Sequence, residues 1–577
     1  MRFSRIMLAI SILTLIVCKS TKESLDNGNT VQAGDLLETE PPEVVKSVTP
    51  FSRGVNFTEW FEGQSAEGII FTKYSEQDFA DAKSLGVDVI RLPIRMHSMA
   101  GPGPEYKIDP LLLRFLDKAV DWAEKYEMYI IIDNHSFDPA KDTANDVDKI
   151  LVPVWAQMAA HFSSRSDYVL YEVLNEPHGI SDKRWGEIQG LVIDTIRKYD
   201  AKHSIVVGGV NYNSIDKLNT IPNYNDANII YTFHFYDPFM FTHQGASWSP
   251  PMEYLEGVPF PYNAARMPKL HSKLKNTWIE SNLRNDYKRE SDVAFMRKTL
   301  DRVVAFSNER GVPVFCGEFG VYDLASPPAD RAIWYEVVTD MLKKRNIPRT
   351  SWDYFGGFGI FNKGGGKDFT RDLNVTVARA LGFTPPPQLP RDTAPLEKGF
   401  VIYDDYPVRE YPLGCWGEGV VFNIFDTSAC SGEYCIRWGN VDRYNAFWIL
   451  LSGSNNFSKL AVSGFALDFY AKTDTAISFD ARFLNSEGDG TAPSIPWRMR
   501  YTINEKILPP DGKWHRIRIP LAEMTEHGAW INAQQKWISP EGKFSWDNVY
   551  QLEFVSEHHD LKKKYVWFDD IKITDEK

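Results

Sequence analysis

The chain has 577 residues, of which 43% are hydrophobic and 24% are charged, as in a soluble globular protein of two or three domains. Its net charge of −13 disfavours a nucleic-acid-binding protein, because such proteins are usually basic. Aromatic residues make up 14% of the chain, which predicts either aromatic-rich cores or aromatic binding surfaces.

The N-terminus is typical of an export signal. Arg2 and Arg5 precede an apolar run over residues 6–17, which is too short to span a bilayer. The run ends at Cys18, in a sequence that resembles the lipobox of bacterial lipoproteins, where the cysteine receives lipid after cleavage. Residues 1–18 are therefore predicted to be a signal peptide. It directs either a cell-surface or outer-membrane lipoprotein or a secreted or periplasmic protein. Residues 19–48 are polar and Glu-rich, which predicts a disordered tether.

Residues 49–385 alternate between short β-rich runs and amphipathic helical stretches. In the helical stretches apolar residues recur at spacings of three and four. The eight β-rich runs are residues 52–57, 87–94, 128–135, 168–177, 203–211, 228–238, 312–320 and 350–358. Eight strand-plus-helix units of this length predict an α/β fold, the (β/α)8 TIM barrel. A doubly wound sheet is the alternative, but no glycine-rich phosphate loop follows the first run.

A different pattern begins after residues 386–398, which form a proline-rich linker. In residues 399–577, runs such as 465–474 and 565–574 alternate apolar and polar residues, and long helical patterns are missing from the sequence. This alternation predicts an all-β sandwich domain of the jelly-roll type.

Polar side chains gather where the eight runs of the first domain end. In a TIM barrel the C-terminal strand ends and the loops that follow them form the active site. The residues at these ends are Arg91, His135, Asn175, Glu176, His234, Tyr236, Glu318 and Trp352. A single acid among them is readily explained as a structural ion pair. Two acids accompanied by this ordered polar set indicate an active site.

Two facing carboxylates are what glycoside hydrolysis requires. When they stand about 5–5.5 Å apart, one attacks the sugar carbon and the other protonates the leaving oxygen. The attacking carboxylate must be ionised, and Arg91 and the Tyr236 hydroxyl would favour that state. The acid must stay protonated in the free enzyme, and Trp352 offers a flat apolar face for a sugar ring.

The same residues resemble glycoside hydrolase family 5, the cellulase family. The resemblance covers residues 50–385 and centres on LNEP and GEFG, with an Arg on the second strand, a His on the third and an H-x-Y on the sixth. It implies that Glu176 is the acid/base and that Glu318 is the nucleophile of a retaining enzyme. It also implies that Asn175 binds the 2-hydroxyl of the sugar at the cleavage point.

A longer local match lies in HFYDPFMFTHQGASW, residues 234–248. This stretch resembles a loop of bacterial endoglucanases in the family, some of which also cleave mannans or mixed-linkage glucans. The resemblance implies that His234 and Tyr236 flank the acid and the nucleophile. It implies further that His243 and Trp248 contact sugar, although a loop His and a nearby Trp are otherwise most simply packing residues.

Two departures from the family pattern fall on substrate-binding positions. Members with this loop often have a second His after the His of the third strand, where this chain has Ser136. At the first strand they often have N-x-x-E, where this chain has Glu59 and Glu62. Glu62 keeps the acid that meets the sugar, whereas Glu59 replaces an amide with a charge. The departures bear on substrate preference rather than on the reaction.

Residues 399–577 resemble the jelly-roll modules attached to bacterial polysaccharide-degrading enzymes, through GKWHRIRIPL and YVWFDDIKIT. The resemblance implies a carbohydrate-binding module, with a purely structural domain as the alternative. Such modules often hold a structural calcium ion near the closing strand. Asp404, Asp405 and Asp569 could supply the oxygen ligands that calcium prefers, although solvated acids at strand ends are the simpler interpretation.

The predicted export bears on the state of the cysteines. Cys415, Cys430 and Cys435 are close enough in sequence to compete for one disulfide, which an exported protein can form. Cys316 lies within an apolar run and is expected to be a buried free thiol.

Together these observations predict an exported, monomeric retaining glycosidase. It cleaves internal β-1,4 bonds of a β-glucan such as cellulose, needs no cofactor for catalysis, and meets the membrane only through a lipid on Cys18. One alternative is a β-mannanase or mixed-linkage glucanase. Another is a non-catalytic surface lipoprotein that binds glycan, but such a protein should have lost one carboxylate, and both are present.

Overall fold

A computed structural model describes residues 32–40, 42–363, 366–390, 394–407, 412–417, 419–485, 495–531 and 536–577. The predicted signal peptide, residues 1–18 with Cys18, lies outside these ranges. Within them, no helix has the length and apolar character needed to cross a bilayer.

Eight parallel strands close into a barrel, which confirms the predicted fold of the first domain. Each strand pairs with the next, and the first and last close the ring. The strands are β1 (Arg53–Asn56), β2 (Val89–Ile94), β3 (Tyr129–Asn134), β4 (Val169–Glu172), β5 (Ser204–Gly208), β6 (Ile229–Phe235), β7 (Val314–Phe319) and β8 (Arg349–Ser351). Apolar side chains such as Ile131, Val206 and Phe315 fill the barrel near the N-terminal ends of the strands. Polar groups are thereby concentrated at the opposite, C-terminal face.

Helices alternate with the barrel strands along the chain, and the short segments α6 and α7 follow directly on β5 and β6. They are α1 (Ala33–Leu36), α2 (Glu76–Ser84), α3 (Pro110–Lys125), α4 (Asp148–Phe162), α5 (Asp182–Tyr199), α6 (Val210–Asn213), α7 (Phe239–Thr242), α8 (Trp278–Asn285), α9 (Tyr287–Glu290), α10 (Val293–Arg310), α11 (Pro328–Lys344) and α12 (Val375–Ala380). In α3, the Asp109 side chain accepts a hydrogen bond of 2.8 Å from Leu111 N, and Pro110 occupies the first helical position. The helix start predicted from Asp109 and Pro110 is therefore confirmed.

Two strands end earlier than their sequence runs predict. β4 ends at Glu172, although Asn175 N still donates to Asn134 O at 3.0 Å. β8 ends at Ser351, before most of its predicted run over residues 350–358. In both places the chain leaves the sheet because the residues of the C-terminal face must turn into loops to reach the barrel mouth.

The predicted disordered tether, residues 19–48, differs from the structure in its described part. Val45 is buried, and its amide donates to Arg345 O at 2.9 Å. The Arg345 guanidinium also forms an ion pair of 2.8 Å with Glu38. The prediction of disorder is wrong for these residues, because a polar composition conceals a few anchoring contacts with the barrel.

The second domain is an antiparallel β-sandwich, as predicted. Its strands are β9 (Phe400–Asp404), β10 (Tyr406–Pro407), β11 (Leu413–Cys415), β12 (Val421–Asp426), β13 (Cys435–Gly439), β14 (Ala446–Asn455), β15 (Ala466–Lys472), β16 (Phe479–Leu484), β17 (Arg498–Ile503), β18 (His515–Pro520), β19 (Thr525–Ile531), β20 (Lys536–Ile538), β21 (Val549–Val555) and β22 (Tyr565–Thr574), with one short helix, α13 (Ser458–Val462). One sheet contains β10-β9-β22-β13-β12 with β15 and β18, and the other has the order β11-β14-β21-β16-β17-β19-β20. Apolar side chains of both sheets form the core between them. The thiols of Cys316, Cys415, Cys430 and Cys435 are unpaired, and Cys316 is buried in β7 as expected.

Candidate active site

The two carboxylates predicted from the strand ends lie together at the barrel mouth. Glu318 is within β7 and Glu176 lies just beyond β4. One side-chain oxygen of each and one ring nitrogen of His234 all lie within 4.8 Å of one another. The barrel therefore brings residues that are far apart in sequence to one point.

Arg91 on β2 is the centre of the hydrogen-bond network below the two acids. The guanidinium is fully buried, and it donates to both carboxylate oxygens of Glu172, at 2.8 and 2.9 Å. It also donates to Glu318 Oε1 at 2.8 Å, Asn175 Oδ1 at 2.8 Å and Asn56 Oδ1 at 3.0 Å. Because a guanidinium has a fixed planar geometry, these bonds fix the orientation of several side chains at once.

Glu318 is held from both sides by protein donors. Arg91 engages one carboxylate oxygen, and the Tyr236 hydroxyl donates to the other at 2.9 Å. Burial, reinforced by the Glu318 charge, raises the pKa of Tyr236, so this hydroxyl remains a donor. Each oxygen of Glu318 therefore has its own hydrogen-bond donor, and the two contacts together orient the side chain for attack on a sugar carbon.

Glu176 has different surroundings. Its Oε1 lies 2.6 Å from Nδ1 of His234, whose own pKa is lowered by burial to about 4, so the imidazole is neutral. Burial raises the pKa of Glu176 to about 7, and the positive charges of His135 and Arg91 oppose this only in part. Glu176 thus has the raised pKa that a proton donor needs, whereas Glu318 is held by two hydrogen-bond donors, as expected for a nucleophile.

His135, Asn175 and Trp352 form one wall beside the acids. The His135 ring stacks on Trp352 with centroids 5.6 Å apart, and its Nε2 lies 3.2 Å from Nδ2 of Asn175. Burial disfavours the protonated His135 ring, but the Asp133, Glu62 and Glu318 carboxylates outweigh it and raise the pKa to about 9. The surrounding carboxylates therefore favour the protonated form of the His135 ring.

The first-strand loop places its two acids differently. Glu62 is directed into the site, with Oε1 4.0 Å from His135 Nε2. Glu59 points out of the site, where it is exposed and forms an ion pair of 2.6 Å with Lys73. Ser136, at the other departure from the family pattern, accepts a hydrogen bond of 3.2 Å from His97 N.

The predicted sugar contacts of the sixth-strand loop lie at two depths. His243 is buried, stacked on Phe239 at 4.1 Å and packed edge-on against Tyr236 at 4.9 Å. Trp248 is 54% exposed and packs edge-on against Tyr322. Trp248 is therefore accessible to a ligand, whereas His243 is covered and packs against the Tyr236 ring. Sugar contact by either residue stays a prediction.

Sequence reasoning missed the buried partners of Arg91, namely Asn56, Asp133 and Glu172. All three side chains are inside the barrel, and Asp133 lies 3.1 Å from the guanidinium. The sequence did contain a signal for buried ion pairs, since Asp133 and Glu172 interrupt apolar runs. Ionisable residues in such runs are rarely fully buried without a partner. What the sequence does not contain is the through-space pairing.

Glu176, His234 and Glu318 are close enough together to hold a metal ion, but both oxygens of Glu318 already accept hydrogen bonds from Arg91 and Tyr236.

In the second domain, one oxygen of Asp405 accepts from Tyr434 N at 2.9 Å, and one oxygen of Asp569 accepts from Cys430 N at 2.6 Å. Asp404 is exposed nearby. Asp405 and Asp569 thus hold the loop before β13. Calcium binding by Asp404, Asp405 and Asp569 stays a prediction.

Several curated proteins resemble this chain. Endoglucanase 3 of Fibrobacter succinogenes is 32% identical over 346 residues, which cover 55% of this chain and 52% of that protein. Endoglucanase C of Acetivibrio thermocellus is 28% identical over 333 residues, which cover 54% of this chain and 94% of that protein. Endoglucanase H of the same species is 25% identical over 575 residues, covering 93% of this chain and 56% of that protein. The chain thus spans about half the length of Endoglucanases 3 and H.

The two domains also match family descriptions, in agreement with the resemblances seen in the sequence. Residues 430–575 match carbohydrate binding domain 30. Residues 51–356, more than half of the chain, match the cellulase family and include the whole set of strand ends around Glu176 and Glu318. The chain belongs to the cellulase family, glycosyl hydrolase family 5.

Proposed function

We propose that this protein is a retaining endo-β-1,4-glucanase. The observation that carries the proposal is the pair of carboxylates, Glu176 and Glu318, with oxygens within 4.8 Å and with opposite surroundings. Retaining glycosidases place their two carboxyl groups about 5–5.5 Å apart, whereas inverting enzymes leave room for a water between them. The relatives named endoglucanase support the β-1,4-glucan as substrate.

In the first step, Glu318 attacks the anomeric carbon and the bond from that carbon to the leaving oxygen breaks. The Glu176 carboxyl gives its proton to the leaving oxygen, so the departing chain leaves as an alcohol. Arg91 and Tyr236 hold the Glu318 carboxylate, which orients it for attack. The product is a covalent sugar ester of Glu318.

In the second step, water replaces the departed chain. Glu176, now ionised, takes a proton from the water as its oxygen attacks the anomeric carbon and the ester bond to Glu318 breaks. This step restores the proton on Glu176 and the charge on Glu318. Two displacements on the same carbon retain its configuration.

Several neighbouring groups would bind the sugar at the cleavage point. The Asn175 amide, held by Arg91, is available for the 2-hydroxyl, and Trp352 offers a ring face beside it. The positive charge of His135 would strengthen hydrogen bonds to sugar hydroxyls. For the second domain, the match to carbohydrate binding domain 30 supports glycan binding in addition to the barrel.

Replacing Glu318 tests the assignment. Glu318→Gln should lower kcat on carboxymethylcellulose by a factor of at least about 10⁴, because the amide cannot attack, while glycan binding measured by calorimetry persists. The exposed Glu187→Gln on α5 serves as the control and should keep full activity. Full turnover by Glu318→Gln would contradict the assignment.

A substrate panel tests the polymer. Cellulose, mannan, lichenan and xyloglucan should be compared with the whole chain, and internal cleavage should be read from the fall in viscosity per bond broken. Fastest cleavage of cellulose chains supports the proposal, and fastest cleavage of mannan contradicts it.

A further inference from the structure

The first-strand loop, residues 57–75 between β1 and α2, contacts the sandwich as well as the barrel. Its Phe71 is buried and stacks on Phe115 of α3 with ring centroids 4.3 Å apart. Tyr406 of the sandwich strand β10 packs edge-on against Phe71 at 5.6 Å. Phe425 of β12 belongs to the same hydrophobic cluster as these barrel residues. The sandwich thus completes the core on which this loop packs.

Polar contacts join the sandwich to α3 at the same place. Lys118 Nζ donates to the Tyr406 hydroxyl at 3.0 Å and lies 4.9 Å from the centre of its ring. The same ammonium lies 5.9 Å from the centre of the Phe71 ring. Arg114, one turn away on α3, forms an ion pair with Glu433 of the sandwich. Tyr406 is therefore held by a charge-assisted hydrogen bond as well as by ring contacts.

Buried contacts connect Phe71 to the active-site end of the loop. The backbone oxygen of Phe71 accepts a hydrogen bond of 2.7 Å from the indole nitrogen of Trp60. Trp60 is buried, and its neighbour Phe61 forms a parallel bridge with the end of β2. Glu62 follows directly, with Oε1 4.0 Å from His135 Nε2. The loop thus joins its contact with the sandwich to an acid that faces the site.

The Glu62 carboxylate takes its orientation from the loop. Its Oε2 accepts a hydrogen bond of 2.5 Å from the backbone nitrogen of Glu59 in the same loop. The Glu59 side chain in turn pairs at 2.6 Å with Lys73, close to Phe71 in the chain. Because both bonds are within the loop, a displacement at Phe71 shifts the Glu62 carboxylate too. A binding group that moves by about 1 Å can lose much of its effect.

We propose that the sandwich holds the first-strand loop in place and that Tyr406 is a positioning residue for Glu62. Through this contact the second domain controls how tightly the barrel binds the sugar beside Glu62 and His135, separately from any glycan that the sandwich binds itself. The ligand affected is the β-linked glucose unit whose hydroxyls donate to the Glu62 carboxylate. The inference rests on the proposed glucanase function and adds to it a coupling between the two domains.

Steady-state kinetics on cellotetraose separate positioning from loss of folding. Partial unfolding lowers the concentration of active enzyme, which reduces the apparent kcat but leaves KM unchanged. The substrate is soluble and short, so glycan binding by the sandwich does not bring it to the barrel. Tyr406→Ala removes the ring, and Tyr406→Phe removes only the hydroxyl. Tyr199→Ala, at an exposed tyrosine on α5, is the matched control.

Tyr406→Ala should raise KM on cellotetraose about fivefold and change kcat by less than about twofold, because Glu62 is displaced while the two catalytic acids are not. Tyr406→Phe should keep KM within about twofold of the unmodified protein, since the ring contacts persist. Tyr199→Ala should behave as the unmodified protein does. An unchanged KM in Tyr406→Ala, or a fall in kcat alone, would overturn the inference.

A double-mutant cycle tests whether the effect passes through Glu62. Glu62→Gln should raise KM about tenfold, because an amide accepts a weaker hydrogen bond than a carboxylate does. Adding Tyr406→Ala to Glu62→Gln should raise KM by less than about twofold more, because the group that Tyr406 positions is already impaired. A further rise of about fivefold would show that Tyr406 acts elsewhere, and the inference would be wrong. Failure of the unmodified protein to cleave any cello-oligosaccharide would instead contradict the proposed function, whatever the variants do.

Discussion

At the scale of single residues, the difference between Glu176 and Glu318 depends on which groups approach each carboxylate. Glu318 accepts hydrogen bonds from Arg91 and Tyr236, whereas the half-buried Glu176 lies against a neutral His234. Because burial disfavours its charged form, the pKa of Glu176 is raised to about 7. A carboxyl with this pKa is protonated over much of the acidic range and can act as the proton donor.

The pH profile follows from this pKa. The first step needs protonated Glu176 in the free enzyme, so kcat/KM should fall as pH rises through about 7. Initial rates on a cello-oligosaccharide from pH 4 to 10 would measure this alkaline limb, the fall of kcat/KM above about pH 7. In Glu176→Gln, hydrolysis of an activated fluoride substrate should lose this limb, because the titrating group is gone. A limb that survives unchanged would assign it to another residue.

At the scale of elements, the barrel strands carry a buried ionic cross-link. Arg91 on β2 pairs with Asp133 on β3 and Glu172 on β4, and all three side chains are inaccessible to solvent. The burial removes water from these charges, so each must be compensated by its partners. The same network holds Glu318, which means that one set of contacts supports both the fold and the nucleophile.

Removing one charge from this cross-link should destabilise the barrel. Glu172→Gln leaves the buried guanidinium short of a partner, and should lower the free energy of unfolding by about 3 kcal/mol. Urea unfolding followed by tryptophan fluorescence would measure the change. The exposed Glu187→Gln on α5 should shift it by less than about 0.5 kcal/mol. Equal stability of the two variants would mean that the cross-link contributes little.

At the scale of the whole molecule, the sandwich packs directly on the barrel. Phe425 of β12 is buried against Phe115 of α3, with ring centroids 4.8 Å apart. Arg114 of the same helix donates to the Tyr434 hydroxyl at 2.9 Å. The contact includes apolar and polar groups from both domains, so we expect it to hold them in a fixed arrangement.

Phe425→Ala should loosen this contact. The truncation removes a buried aromatic ring, and losses for such changes are about 3–5 kcal/mol. Calorimetry of the full chain should show a lower Tm, with the two domains unfolding as separate transitions. The exposed Phe295→Ala on α10 is the control and should leave the thermogram unchanged. An unaltered transition in Phe425→Ala would show that the domains are stable without the contact.

The sequence by itself determined the two domain types, the order of the barrel strands and the two acids at their ends. These features are local, since strand and helix periods and the residues that end each strand can be recognised along the chain. The tertiary structure alone decided that Arg91 pairs with Asp133 and Glu172, that Tyr406 packs on Phe71, and that Phe425 joins the barrel. These contacts join residues on different elements, and their distances depend on barrel closure and domain packing, which no local pattern encodes.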